Sequence, residues 1–176
     1  MRKLVVIVCL LPAAACTKPP AETTQPSPAA TNNANSNAGR IKSTDVVKVT
    51  PQELTLAKGK SGYAVVRLQI QNGYHVNANP ATFPYLIPTE LKIAPASGIS
   101  VSPVAYPKPV TKTFSFADEP LKVYEGDLTL EAMLNVTAEA ETGQHNLSAK
   151  LRVQACDDQV CYVPGTIDLT IPVEVK

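Results

Sequence analysis

From Ser43 onward, apolar residues recur at every second position. Ala64, Val66, Leu68 and Ile70 alternate with Arg67, Gln69 and Gln71. Leu128, Leu130, Ala132, Leu134 and Val136 alternate with Thr129, Glu131, Met133 and Asn135. The same rhythm runs through Leu147, Ala149, Leu151 and Val153, and through Ile167, Leu169, Ile171, Val173 and Val175. Successive side chains of a strand point to opposite faces, so each run predicts a strand with one buried and one solvated face. Asn72-Gly73, Glu125-Gly126, Thr142-Gly143 and Pro164-Gly165 punctuate these runs as turns. No stretch keeps a helical period over three turns. Strands of this kind over about 130 residues predict an all-β fold, an immunoglobulin-like antiparallel β-sandwich. Pro172 has no N–H to give, so it is expected at a sheet edge or with its missing donor facing away from the ladder. The chain has no Trp, which limits any likeness to antibody domains to architecture.

The pattern is different before Ser43. Arg2 and Lys3 precede an apolar run, Leu4 to Leu11, that is too short for a stable membrane anchor. Ala13-Ala14-Ala15-Cys16 follows and resembles the lipobox of bacterial lipoproteins, with Ala13 where Leu is usual. The resemblance implies removal of residues 1–15 and lipidation of Cys16. Ordinary cleavage after Ala15, leaving a free Cys16 thiol, is the alternative. From Thr17 to about Gly39 the chain is Pro, Ala, Thr, Asn and Ser. It has too little apolar surface to offset its conformational entropy, so residues 16–42 are expected to be a lipidated N-terminus and disordered linker. Residues 43–176 are the folded domain. No later stretch holds the ~18 apolar residues of a membrane helix. The expected location is the periplasmic side of a bacterial membrane, held by lipid alone. Thr17 rather than Asp follows Cys16, which leans toward the outer membrane by resemblance to the sorting of Gram-negative lipoproteins.

Sixteen basic and fifteen acidic residues leave a net charge of +1, interspersed in sign. Nothing here suggests nucleic acid or an acidic surface as partner. No Ser/His/Asp arrangement, Gly-rich phosphate loop, or Cys/His cluster of zinc or copper spacing stands out. Neither a metal nor a cofactor is expected.

Of the four cysteines, Cys9 lies in the leader and Cys16 at its end. The domain therefore keeps one pair, Cys156 and Cys161. Carrying the Leu147 alternation forward puts Ala155 on the inward face and Cys156 on the outward one. A loop from Asp157 to Val160 would then turn the chain and set Cys161 opposite Cys156. Facing hairpin residues have Cα atoms ~4.5–5.5 Å apart, a distance a disulfide bridges. Such a bridge is either a staple or a site of exchange. For so short a loop the chain-entropy model gives a staple roughly 2 kcal/mol. A short, outward, loop-borne disulfide is instead open to an attacking thiolate. Asp157 and Asp158 disfavour a thiolate at Cys156, or they simply make the turn.

A family resemblance rests on several segments. Gln154-Ala-Cys156-Asp-Asp-Gln-Val-Cys161-Tyr-Val-Pro164, followed by a last strand, resembles the cysteine motif of the N-terminal periplasmic domain of DsbD-type thiol:disulfide interchange proteins. Gly73-Tyr74-His75-Val76-Asn77 with Pro80, Ile87-Pro88-Thr89-Glu90-Leu91, Tyr106-Pro107, Phe116 and Val123-Tyr124-Glu125-Gly126-Asp127-Leu128 are similar to its other sections. The likeness covers about residues 44–175. It implies a thiol:disulfide oxidoreductase component that relays electrons from a thioredoxin-like or membrane-embedded donor to oxidised periplasmic proteins. Acceptors of this kind include disulfide isomerases, cytochrome c maturation factors and peroxide-reducing enzymes. The resemblance also implies that Cys161 forms the mixed disulfides and Cys156 resolves them. Asp118 and Glu119 fall where the family has a cap loop over the cysteines. Pro120 and Leu121 follow where an aromatic residue is usual, so Leu121 is a candidate shield. His75 and Asn77 take two positions that are aromatic in the family. His75 is either a proton acceptor that lowers a cysteine pKa or a plain polar surface residue. The membrane and thioredoxin-like sections of the full-length family are absent from the sequence, so the donor is expected to be a separate protein. The rival is an immunoglobulin-like surface lipoprotein that binds a partner and uses the disulfide only as a staple.

Overall fold

The structure, a computed structural model, describes residues 41–176. Cys16, the leader before it and most of the proposed linker lie outside the described residues. The described chain forms twelve strands. They are β1 (Val47–Pro51), β2 (Leu54–Leu56), β3 (Ser61–Ile70), β4 (His75–Asn77), β5 (Glu90–Ile93) and β6 (Ile99–Val101). Then come β7 (Val110–Lys112), β8 (Leu121–Tyr124), β9 (Asp127–Val136), β10 (Gly143–Val153), β11 (Ala155–Cys156) and β12 (Gly165–Val175). No helix occurs among the described residues.

The four runs of strongest alternation are the four longest strands, β3, β9, β10 and β12. One sheet has the order β1-β3-β9-β6 and a second the order β2-β12-β10-β5. All pairings are antiparallel except β2 with β12. Val66, Leu68, Leu130 and Leu134 from the first sheet meet Leu147, Leu151, Ile171 and Val173 from the second in one buried core. The fold is thus the expected all-β, immunoglobulin-like sandwich: each long strand contributes every second side chain to a shared interior. Pro172 lies within β12 opposite Asn146, and β2 begins to pair only at the next residue, Val173. The missing donor therefore sits where the flanking strand has not yet started.

A third, smaller sheet, ordered β11-β4-β8-β7, carries the cysteines. The Asn72-Gly73 turn feeds β4 from β3, with Gly73 at φ 85°, a conformation that glycine adopts without steric cost. Val76, Ala155 and Tyr124 turn one face of this sheet to the main core. Strand alternation sends their neighbours His75, Asn77, Cys156 and Val123 to the other face.

Candidate functional site

Cys156 and Cys161 are joined by a disulfide, with Cα atoms 3.9 Å apart. They face each other as an isolated antiparallel bridge, closer than the ~4.5–5.5 Å expected of a hairpin pair. The turn between them is built by Asp157. Its Oδ1 accepts hydrogen bonds from the amides of Gln159 and Val160, at 2.7 and 2.8 Å. Its other oxygen accepts the Tyr162 hydroxyl. The Tyr162 hydrogen bond, then the two amides, hold the Asp157 carboxyl below its ordinary pKa. The same hydrogen bond pushes the Tyr162 phenol up to about 12. Asp157 thus makes the turn, as one of the two sequence-based expectations held. Asp158 is exposed, and its backbone carbonyl accepts the Ser115 hydroxyl at 2.9 Å.

Ser43 fixes both ends of the hairpin from outside it. Its Oγ accepts the amide of Ala155 at 3.0 Å and donates to the carbonyl of Val163 at 2.7 Å. Gln154 fixes the near end. Its Oε1 accepts from Asn77 Nδ2 and from the Ile87 amide, at 3.1 and 3.0 Å. Asn77 Nδ2 also donates to the Ile87 carbonyl, and the Asn77 carbonyl accepts the Thr89 hydroxyl. Asn77 therefore ties the 80–89 loop to the cysteine sheet.

Two expectations need correction. Cys156 was expected to be outward and open to solvent. It is on the outward face, apart from the main core, but its exposure is 0 %. On that side of the sheet Leu121 and Val123 of β8 form a second apolar cluster with Phe114, and the loop residues Phe83, Leu86 and Ala117 pack against it. Alternation reports which face a residue takes, and loops decide whether that face sees water. Cys161, by contrast, is half-buried and is followed by exposed Val163. The second correction concerns His75. It is no surface residue, being only 1 % exposed, and it pairs in register with Cys156. Burial, then the Lys112 charge, lower its pKa below the ordinary 6.5, while Asp158, Glu125 and Asp157 act in the opposite sense.

The aromatic cover comes from a residue that sequence reasoning missed. Phe114 stacks on His75, ring centroids 4.1 Å apart and planes 18° from parallel. Phe116 stacks in turn on Phe114 at 5.2 Å. The signal was an aromatic pair spaced by one residue, just before the acidic pair rather than after it. Leu121 lies at the start of β8 in the cluster with Phe114, beneath the loop and not in it. Asp118 and Glu119 are exposed on that loop. Ser43, Gln154 and Tyr162 were also missed as supports of the hairpin, because single polar residues carry no periodic signal.

Fold and site together define an immunoglobulin-like module with a short-loop disulfide whose cross-strand neighbour, His75, is stacked under Phe114. The family model described as "Thiol:disulfide interchange protein DsbD, N-terminal" matches residues 43–171, and the chain belongs to that family. Among solved structures it is similar to the N-terminal periplasmic domain of ScsB from Proteus mirabilis. That match has 16 % identity and a TM-score of 0.49, covering 71 % of this chain and 44 % of the other. This chain thus spans less than half the length of that structure. It is also similar to a family 123 glycoside hydrolase from Clostridium perfringens, at 12 % identity and a TM-score of 0.34, covering 74 % and 27 %. No curated protein sequence matches the chain.

Proposed function

We propose that this domain performs periplasmic thiol:disulfide exchange, relaying electrons through Cys156 and Cys161. The donor is a thioredoxin-like or membrane-embedded redox protein, and the acceptors are oxidised periplasmic proteins. A thiolate of the donor attacks Cys161 Sγ. The Cys156–Cys161 bond breaks and its electron pair stays on Cys156. The donor's second thiol then displaces Cys161, leaving a dithiol that reduces an acceptor disulfide by the reverse sequence. Asp118, Glu119 and Leu121 belong to the cap and the sheet beneath it, and they tune access. Asp157 and Asp158 shape the loop and its charge, and Asn77 positions the sheet. Lipid at Cys16 holds the domain to a membrane, with the outer membrane favoured.

The observation that carries this reading is the unequal exposure of the two sulfur-bearing residues. Cys156 is fully buried, whereas Cys161 is only partly so. An attacking thiolate needs access to the sulfur it attacks, which favours Cys161 as the attacked position and Cys156 as the leaving and resolving one. The test is mixed-disulfide trapping with a thioredoxin-like protein that lacks its own resolving cysteine. Cys156→Ser is expected to accumulate a stable mixed disulfide through Cys161, and Cys161→Ser to form none. The opposite order would overturn the assignment. Absence of exchange in the unsubstituted chain would favour the staple-bearing binding module.

A further inference from the structure

We propose that His75 is the proton acceptor for the Cys156 thiol in the resolving step of exchange. This rests on the exchange reading above and adds to it the group that handles the proton.

Three observations converge. His75 and Cys156 are direct cross-strand partners of β4 and β11. Such partners share a face with Cβ atoms about 4.5–5.5 Å apart, so a thiol at position 156 lies within reach of the imidazole. The ring is held in place by Phe114, stacked at 4.1 Å. Finally, His75 Nε2 is buried with no hydrogen-bond partner, in a residue 1 % exposed. An unpaired buried polar atom is costly and needs a reason. In the disulfide form Cys156 has no S–H to offer. Reduction would create one on the same face as the orphaned nitrogen.

The surroundings keep the imidazole neutral and able to accept. The charged groups around it are Lys112 from β7, Glu125 from the turn after β8, and Asp157 and Asp158 from the cysteine loop. Lys112 is paired to Glu125 at 2.8 Å, so the charges nearest on that side offset each other. Burial is the largest influence and lowers the His75 pKa. A buried thiol in apolar surroundings is by itself a weak nucleophile, because burial disfavours its thiolate. A neutral base alongside removes that obstacle.

The step balances as follows. Cys161 has attacked the target disulfide, and one target sulfur has left as a thiolate. Cys156 S–H passes its proton to His75. The Cys156 thiolate attacks Cys161 Sγ, the Cys156–Cys161 bond forms, and the bond from Cys161 to the target breaks. The electron pair leaves on the second target sulfur, which takes a proton from the imidazolium or from water. The target disulfide is reduced by two electrons and the domain dithiol is oxidised.

The experiment uses the full chain with Cys9 and Cys16 replaced by Ser, so that only the pair reacts. The reduced protein is mixed with the aromatic disulfide 5,5′-dithiobis(2-nitrobenzoate). Attack by Cys161 releases one coloured thiolate, and resolution by Cys156 releases a second. His75→Phe keeps a ring against Phe114, and His75→Gln is a second non-basic variant should the first not fold. At pH 7 the second phase is expected to slow by about tenfold or more in either variant. The rates are expected to converge at high pH, where the thiol ionises unaided. The first phase is expected to stay unchanged. A second phase that is unaltered at pH 7, or slowed by the same factor at every pH, would overturn the proposal, since a purely structural role would do the latter. Failure of the unsubstituted chain to release either thiolate would instead overturn the exchange reading, and this proposal with it.

Discussion

The domain has two apolar interiors, and they were built by different means. The main core is filled by long strands whose side chains alternate, with Leu130, Leu134, Leu147, Leu151 and Ile171 all fully buried. The second interior, over the cysteine sheet, is filled by Phe114 from a loop, Leu121 and Val123 from a four-residue strand, and flanking loop residues. The first holds the fold. The second leaves one face of the site dry while admitting polar groups such as His75 and Asn77 that the main core excludes. The proposed function sits where the burial is supplied by loops, because loops can move without unmaking the sandwich.

The largest effect should come from the main core. Leu151→Ala is expected to cost about 2–5 kcal/mol of global stability, read from the denaturation midpoint, because it leaves a cavity between the sheets. Phe114→Ala is expected to cost less, about 1–3 kcal/mol. Its distinguishing result is kinetic: the Cys156–Cys161 disulfide should be reduced faster by dithiothreitol in Phe114→Ala and at an unchanged rate in Leu151→Ala under native conditions. Equal reduction rates in the two variants would erase the distinction between the interiors.

The same contrast explains what the sequence made legible. Period-two runs located β3, β9, β10 and β12, and with them the sandwich. They also placed Ala155 inward and Cys156 outward correctly, since alternation continued through Gln154 into β11. They did not show that the outward face is roofed, because the roof comes from segments 80–89 and 113–120, which have no period to detect. The cysteine spacing predicted the disulfide and its turn, and left open whether Asp157 shapes that turn or tunes the thiol; its hydrogen bonds to Gln159 and Val160 show that it shapes the turn. The spacing did not identify Phe114, whose stacking on His75 joins residues 39 positions apart. Nor did it identify Ser43, whose hydrogen bonds reach Ala155 and Val163 across 112 and 120 positions.

Smaller effects concern charge. His75 has a folded pKa below its ordinary 6.5. The unfolded chain therefore binds the proton more readily, and the stability gained from the neutral, buried ring is lost as pH falls below about 6.5 toward the folded value. Stability measured across that window should decline with acid in the unsubstituted chain and decline less in His75→Phe. A matching decline in both would remove His75 from the account of the pH dependence. Smallest of all, Tyr162→Phe removes the first cause of the lowered Asp157 pKa. The Asp157 carboxyl, followed by nuclear magnetic resonance, should then titrate closer to the ordinary 3.8. Because Asp157 is depressed, its contribution to stability is present above that ordinary value and is lost as pH falls through the folded one. An unchanged titration would show that the two amides alone hold the carboxylate.

The central claim is that the roofed disulfide is a site of exchange and not a staple. It is tested most directly by the reduction potential of the Cys156–Cys161 pair, equilibrated against a thioredoxin-like protein of known poise. The account predicts a value between those of thioredoxin and the more oxidising isomerases, about −270 to −180 mV. A potential below about −300 mV, with resistance to exchange, is the mark of a structural disulfide and would contradict it.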